Sequence, residues 1–451
     1  GVPVPPRITK SNGGVMGVEQ AKSECVQMVL SGTASGVIGA RFLADACGFD
    51  KILSLDIGGT SADVAVIIDG QVAQGNGEII GDFPVYIPSV AVTSVGQGGG
   101  SLAWIDKQGV LQMGPDSAGS LPGPVCFQRG GTQPTATDAF AACGLIGHGA
   151  LGYDAVQVDI AAARAAWQPL AGALNITVEE TAETAIELAV SSMYSDTSGL
   201  LSRFGLDPRE FWFLAFGGAG PMMGCFLARE LNMKGVIVPP TPGVLSALGG
   251  LVADMRNDFI RTLYRDLDAA LTDTLATEAE ALSLRARSWL REQHDADMPF
   301  TLHYSADMRY RGQSFEIEVA LEAAWLTRGD IAALHDAFDR QHQQLFGHCD
   351  ADAPVQIINL RLVIASPTPK PTLNRLAPAS GPVAVEKQVS AWIDGAWHQV
   401  DVVLRARLLA GHQLIGPVIV AQEDCTTCVP PQMQVQVDAF GNLLITPLET
   451  R

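Results

Sequence analysis

The sequence predicts an α/β chain in three parts: a lobe over 1–260, an α+β segment over 261–370 and a β-rich C-terminal domain over 371–451. Three observations predict it. Glycine-rich turns close short apolar runs at two distant places, Gly58-Gly59 after the run 52–55 and Gly217-Gly218 after the run 211–216. Apolar residues recur at helical spacing in long stretches, as with Ile186, Val190 and Met193 within 181–201. Beyond the Pro367-Thr-Pro-Lys-Pro371 linker the pattern changes to short alternating runs at 388–393, 399–404, 418–421 and 433–445, which read as strands.

Between the lobe and the linker, an Ala-, Leu-, Glu- and Arg-rich stretch at 271–293 predicts an amphipathic helix. Strands at 302–309 and 314–320, a helix at 331–345 and a strand at 355–364 follow. With 451 residues, 47% of them hydrophobic, the chain can bury a large core. Its 29 basic and 48 acidic residues give a net charge of −19, which argues against nucleic acid as a partner because phosphate neutralisation needs clustered Lys and Arg. A membrane is equally disfavoured: the apolar stretch 236–252 is broken by Pro239, Pro240, Pro242 and glycines. No secretory leader is legible at the start, and the eight cysteines sit in apolar surroundings as buried thiols would, so the expected compartment is the cytoplasm.

The chemistry concentrates in Asp56-Ile-Gly-Gly-Thr-Ser-Ala-Asp63. Gly58 and Gly59 allow a tight turn whose N–H groups can hold an anion, and Thr60 and Ser61 add hydroxyl donors. A carboxylate beside bound phosphates makes sense when Asp56 faces a hydrated Mg²⁺ or the attacking nucleophile. No Walker sequence is present, and a second strand rather than a helix follows the turn. The plain alternative is an ordinary hairpin turn. The second turn, Phe216-Gly-Gly-Ala-Gly-Pro221, leads into a helix and lets backbone approach a purine or ribose. Two such turns, far apart in sequence, are what an actin-like or sugar-kinase ATP site requires.

These segments, together with Val95-Gly-Gln-Gly-Gly-Gly-Ser-Leu-Ala-Trp104, Gly114-Pro-Asp-Ser-Ala-Gly119, Pro134-Thr-Ala-Thr-Asp-Ala139, Asp207-Pro-Arg209 and Pro242-Gly-Val-Leu-Ser-Ala-Leu-Gly249, occur in one order that resembles the hydantoinase A, 5-oxoprolinase and acetone carboxylase family. Lys10-Ser-Asn-Gly-Gly14 and Arg309-Tyr-Arg-Gly-Gln313 extend the resemblance over most of the chain. It implies an actin-like ATPase lobe that activates a cyclic amide by phosphoryl transfer and works with a hydantoinase B-type subunit. A ketone carboxylase or a non-catalytic scaffold within such a complex are the alternatives. ATP and Mg²⁺ are the implied cofactors. Asp56 and Asp138 are the candidate catalytic and metal-holding residues, and Gly58, Gly59, Thr60, Ser61, Asp63, Gly98, Gly99, Gly217, Gly218, Ala219 and Gly220 the candidate nucleotide-binding ones.

Asp138 precedes an apolar helical run, so a capping role and a role as second acidic group both stand open. Asp254 and Asp258 are expected at a domain border. The resemblance also implies an earlier Asp-x-Gly-Gly-Thr element in an N-terminal lobe, with no counterpart before Asp56, so a piece of a longer subunit is expected. Departures from the family's pattern fall at Ala62, at Gln97, at Ser35, which narrows the approach there, and at Met223, where a histidine is usual. Cys425 and Cys428 form a single C-x-x-C without a second pair, and His342, His348, Cys349 and Asp350 fit no zinc spacing. The cysteine pair is expected to be structural and the histidine cluster to belong to a surface turn at the end of the helix 331–345.

Overall fold

The structure is a computed structural model that describes residues 5–75, 78–80, 83–85, 87–149, 151–152, 156–293 and 298–448. Its chain divides into two compact units, one of Gly1–Ser31, Asn76–Ser89 and Ala253–Lys370 and a larger one of Gly32–Gly75, Val90–Val252 and Pro371–Arg451.

The larger unit is built on a mixed sheet. Lys51–Ile57 pairs parallel with Trp212–Phe216, which pairs parallel with Gly235–Val238, while Ala62–Ile68 and Leu443–Pro447 flank this trio antiparallel. The central strands are apolar on both faces, as strands covered on both sides must be. Strand periodicity sends Ile52, Leu214, Ile237, Ala65 and Ile67 to one face, against Ala34, Val37 and Leu43 of the helix Ser31–Cys47. Leu53, Leu55, Val64, Phe213, Ala215 and Val236 go to the other, into a core shared with helices Ala136–Ala142, Val178–Arg203 and Gly220–Glu230. The long helix starts where its sequence says it should: Thr177 and Glu180 form a reciprocal capping box.

The β-rich end is not a separate body. Val385–Ile393, Ala396–Leu404, Val418–Ala421 and Thr426–Val429 make their own four-stranded sheet, but Met433–Val437 and Leu443–Pro447 extend the main one. Val435, Val437, Leu443 and Ile445 are buried there with Val236 and Val238, so the sheet's edge is completed by distant chain. Cys425 and Cys428 are buried, and Cys428 lies 3.6 Å from the Leu145 carbonyl.

The smaller unit is an antiparallel sheet of Met255–Asp266, Val355–Ser366, Thr301–Tyr310 and Ile317–Leu321, extended at one edge by the short strands Arg7–Thr9 and Val15–Gly17. Helix Thr272–Gln293 buries Leu275, Ala279, Leu282, Ala286 and Trp289 along one stripe. The first residues thus belong with 253–370 rather than with a lobe over 1–260. The Lys10 ammonium explains this locally, donating to Asn257 Oδ1 at 2.5 Å and to the Arg256 carbonyl at 3.3 Å. Asp254 and Asp258 both fall in this unit, whose third segment opens at Ala253. His342 is buried, its Nδ1 2.8 Å from the His348 carbonyl and its ring edge-on to Tyr310. Among the described residues no helix is long and apolar enough to cross a membrane.

Candidate functional site

The Asp56–Asp63 segment is a hairpin, with Asp56 directly opposite Asp63 and Ile57 opposite Ala62. Gly58 N donates to Ser61 O at 3.0 Å and closes the turn. The segment is thus the hairpin that the plain alternative expected. Gly99 N and Gly100 N donate to the Gly58 and Gly59 carbonyls at 3.0 and 2.6 Å, so the two carbonyls face the Gly98–Gly100 loop. Planar trans peptides then direct the Gly59 and Thr60 N–H groups the opposite way. The loop approaches closely: a Cβ on Gly98 would lie 2.9 Å from the Gly58 carbonyl oxygen.

The second turn closes on the first. Phe216 is in parallel register with Asp56, and Ala219 N donates to Ile57 O at 3.0 Å. Gly217 has φ +81°, and a Cβ there would overlap Asp56 Oδ1 and come within 2.5 Å of Ile57 O. Only glycine meets both demands.

Gly58, Gly59, Thr60, Gly99, Gly218 and Ala219 line one cavity of about 520 Å³, so the structure brings six of the expected residues together. Its wall is completed by the apolar side chains of Phe127, Ile146, Leu151 and Met222, with Arg129 and Asp424 as its charged members. Gly98, Gly217 and Gly220 shape backbone behind that wall, and Ser61 is exposed at the turn. Asp56, two residues before Gly58, is not among the lining residues; Ser246 Oγ donates to its Oδ2 at 3.0 Å. Burial pushes the Asp56 carboxyl above the usual range; the Ser246 bond opposes this and the charge of Asp63 adds to it. Asp63 in turn accepts from Thr33 Oγ1 at 2.8 Å and Ser94 Oγ at 2.5 Å.

Asp138 is not itself the N-cap of helix Ala136–Ala142, which is Thr135; it is the third helical residue and completes a reciprocal capping box with Thr135. It is fully buried, its Oδ1 accepts from Cys126 N at 2.7 Å, and its Oδ2 accepts from Val125 N, Thr135 N and Thr135 Oγ1 at 3.1, 2.9 and 2.8 Å. A carboxylate so engaged is poorly placed to hold a cation. Met223 is fully buried in its helix and lies outside the cavity wall, and Gln97 is buried with Nε2 on the Met113 carbonyl at 2.9 Å. Among the described residues no group of three or more His, Cys, Asp or Glu is placed to hold a metal.

Sequence reasoning missed Ser246, Thr33, Ser94, Arg129 and Asp424. Ser246 lay inside a quoted motif, but nothing in linear order joins it to Asp56. Its position is fixed by close packing: Ser35 Oγ donates to Ser246 O at 2.7 Å, and a Cβ on Gly39 would come within 2.5 Å of Leu245 O.

Family models described as Hydantoinase/oxoprolinase and Hydantoinase/oxoprolinase C-terminal domain match residues 2–259 and 265–445. The caprolactamase subunit alpha of Pseudomonas jessenii is 31% identical over 99% of this chain and 65% of its own length. The crystal structure of the ATP-dependent caprolactamase from Pseudomonas jessenii superposes with a TM-score of 0.85 at 30% identity, covering 98% of this chain and 65% of that one. A nucleotide-free acetone carboxylase structure, from work on ATP-dependent acetone carboxylation, gives 0.80 at 25% identity over 98% and 64%. The chain therefore spans just under two thirds of the length of these proteins. On both the family match and this likeness, the chain belongs to the hydantoinase/oxoprolinase family.

Proposed function

We propose that this chain is a component of an ATP-dependent cyclic-amide hydrolase and carries its nucleotide site in an actin-like lobe. The observation that carries the reading is the cavity lined together by the Gly58–Thr60 turn, Gly99 and Gly218-Ala219, the turn following Asp56 by two residues. Turn N–H groups and the Thr60 hydroxyl suit phosphate oxygens, and the wall of Phe127, Ile146, Leu151 and Met222 suits a flat base. Bound ATP would supply the phosphoryl group that turns the amide oxygen into a leaving group.

This chain's residues do the positioning. Gly59 and Thr60 hold phosphate, Gly218 and Ala219 lie along the nucleoside, and the water-exclusion falls to the apolar wall. Asp56 offers a hard oxygen to Mg²⁺ or accepts a hydrogen bond from the attacking water, which fits a half-buried carboxylate with one oxygen held by Ser246. Asp63, with both oxygens engaged by hydroxyls, is suited to sustain the local negative charge rather than to ligate directly.

The likeness to caprolactamase favours a lactam-type substrate and a second, B-type subunit that completes the reaction, with the remaining lobe of the nucleotide clamp on further chain. Eight free cysteines, five of them deeply buried, fit a reducing cytoplasm. The likeness to acetone carboxylase supports a second reading in which the same site activates a ketone and bicarbonate.

Phosphate release from ATP by the native complex, with hydantoins and lactams compared against ketones plus bicarbonate, decides between them. Stimulation by cyclic amides alone supports the hydrolase. Stimulation only by ketone and bicarbonate overturns it.

A further inference from the structure

The strand Thr426–Val429 carries the C-x-x-C segment past the nucleotide cavity. Its Cys428 thiol reaches the Leu145 carbonyl at 3.6 Å. Side chains two apart in a strand share a face, so Thr426 points the same way, toward the wall that contains Ile146. Thr426 is only 7% exposed and lines the cavity. Among the described residues its hydroxyl has no hydrogen-bond partner, and unlike the fully enclosed Thr197 hydroxyl it stays within reach of the cavity. A hydroxyl so placed is satisfied only with a ligand or water on it.

Asp424 lies two residues earlier, in the turn that Gln422 N closes by donating to Cys425 O at 3.1 Å. It borders this cavity and a neighbouring one lined by Leu404, Arg405 and Gln422, so the cavity it shares with Thr426 is the nucleotide one. Its position is fixed from the second glycine turn. The Pro242–Gly243 peptide accepts from Gly217 N at 3.0 Å through its carbonyl and donates to Asp424 Oδ2 at 2.8 Å through its N–H. One planar peptide therefore ties Asp424 to the turn Gly217–Ala219, across about 8 Å. A Cβ on Gly243 would itself lie 2.8 Å from Oδ2.

The carboxylate is not spent on the protein. Arg405, the cation close enough to feel its charge, gives Nη2 to the Val238, Pro239 and Gly441 carbonyls. A carboxylate offers about four lone-pair sites, and one backbone N–H with the neighbouring Cys425 thiol leaves acceptor capacity for the cavity.

This pair suits one part of a nucleotide. A carboxylate repels phosphate oxygens, and the flat base is served by the apolar wall of Phe127, Ile146, Leu151 and Met222. Between phosphate and base lies the ribose, whose adjacent hydroxyls can donate to a carboxylate and accept from a threonine. We propose that Asp424 and Thr426 recognise the 2′- and 3′-hydroxyls of the ribose and make the cavity selective for ribonucleotides. This rests on the nucleotide reading above.

The test is equilibrium binding of three magnesium-complexed ligands to the native complex carrying wild-type chain, Asp424→Ala, Asp424→Asn or Thr426→Val. The ligands are ATP, 2′,3′-dideoxyATP and purine riboside triphosphate, which lacks the 6-amino group. Hydrogen bonds to a charged group predict that wild type prefers ATP to the dideoxy ligand about tenfold to a hundredfold. Asp424→Ala loses most of that preference by weakening ATP, and binds the dideoxy ligand at least as tightly as wild type because a charge that repels phosphate is gone. Asp424→Asn keeps part of the preference, since its amide oxygen still accepts, and Thr426→Val lowers it by about threefold to tenfold. Deleting the side chain and deleting the ligand hydroxyls are then non-additive, as groups in contact require. Wild type without the preference, or Asp424→Ala with it intact, overturns the proposal and leaves the nucleotide site standing. Equal loss of ATP and the dideoxy ligand overturns it too, since that is the mark of a merely structural turn. A loss in Asp424→Ala that vanishes with purine riboside triphosphate, and not with the dideoxy ligand, overturns it by placing the carboxylate on the base. Wild type that binds none of the ligands overturns the nucleotide reading itself.

Discussion

Gly217 and Asp56 occupy one another's space: the glycine's φ of +81° turns its Cα toward the carboxylate, and a Cβ would overlap Asp56 Oδ1. The strand end that carries the acid and the turn that closes on it are therefore built as one unit. Gly217→Ala is expected to cost at least about 1–3 kcal/mol in backbone strain and to displace Asp56. Denaturant unfolding reads the first effect. ATP turnover, reduced by more than the stability loss explains, reads the second.

Burial disfavours the ionised form of Asp56. Because burial raises its folded pKa above the ordinary 3.8, the folded state binds the proton more tightly than the unfolded one. The charged form thus costs stability above the folded pKa, and the cost fades as pH falls toward the unfolded value. Asp56→Asn should be at least as stable as wild type at pH 7, with a difference that shrinks in acid, while turnover falls by about a hundredfold or more. Urea unfolding at neutral and acidic pH, alongside the activity, checks the sign.

Ser246 donates the hydrogen bond that favours the Asp56 carboxylate. Ser246→Ala should raise the Asp56 pKa further, so the acid limb of the kcat/KM profile moves to higher pH and activity at its plateau is less affected. Ser246→Thr, which can restore the hydroxyl, should return the limb toward wild type.

Much of this architecture was legible in order along the chain. The strand periods at 52–55, 64–68 and 236–238 and the helical stripe at 181–201 all correspond to observed elements, because local burial pattern and local structure share a period. Gly58, Gly59 and Gly218 could be picked out since a tight turn writes itself in glycine. What the sequence could not show was pairing at a distance. Nothing near residue 443 says that Leu443–Pro447 completes a sheet edge beside Gly235–Val238, or that residues 7–17 extend the sheet of 253–370. Asp138 shows the same limit at the site. An Asp opening a helix reads equally as cap or ligand until Val125 N and Cys126 N are seen to claim it.

The thiols offer a further check. Cys25 and Cys349 are exposed, whereas burial pushes Cys47 up to about 11 and raises Cys126, Cys143, Cys225, Cys425 and Cys428 beyond the ordinary thiol range. Alkylation of native protein at pH 8, read by mass spectrometry, should modify Cys25 and Cys349 rapidly, and all eight cysteines only after denaturation. Rapid native labelling at Cys425 and Cys428 would contradict the packing of that strand.

The central claim is that the site beside Asp56 serves to phosphorylate the oxygen of a cyclic amide. Its most direct measurement follows a lactam carrying oxygen-18 in its carbonyl through one turnover by the native complex, with the released phosphate analysed by mass spectrometry. Transfer to the amide oxygen predicts that, when water opens the ring, phosphate leaves with the labelled atom. Unlabelled phosphate, formed at the same rate as ring opening, would contradict the account, because ATP would then be hydrolysed by water without the amide oxygen ever receiving the phosphoryl group.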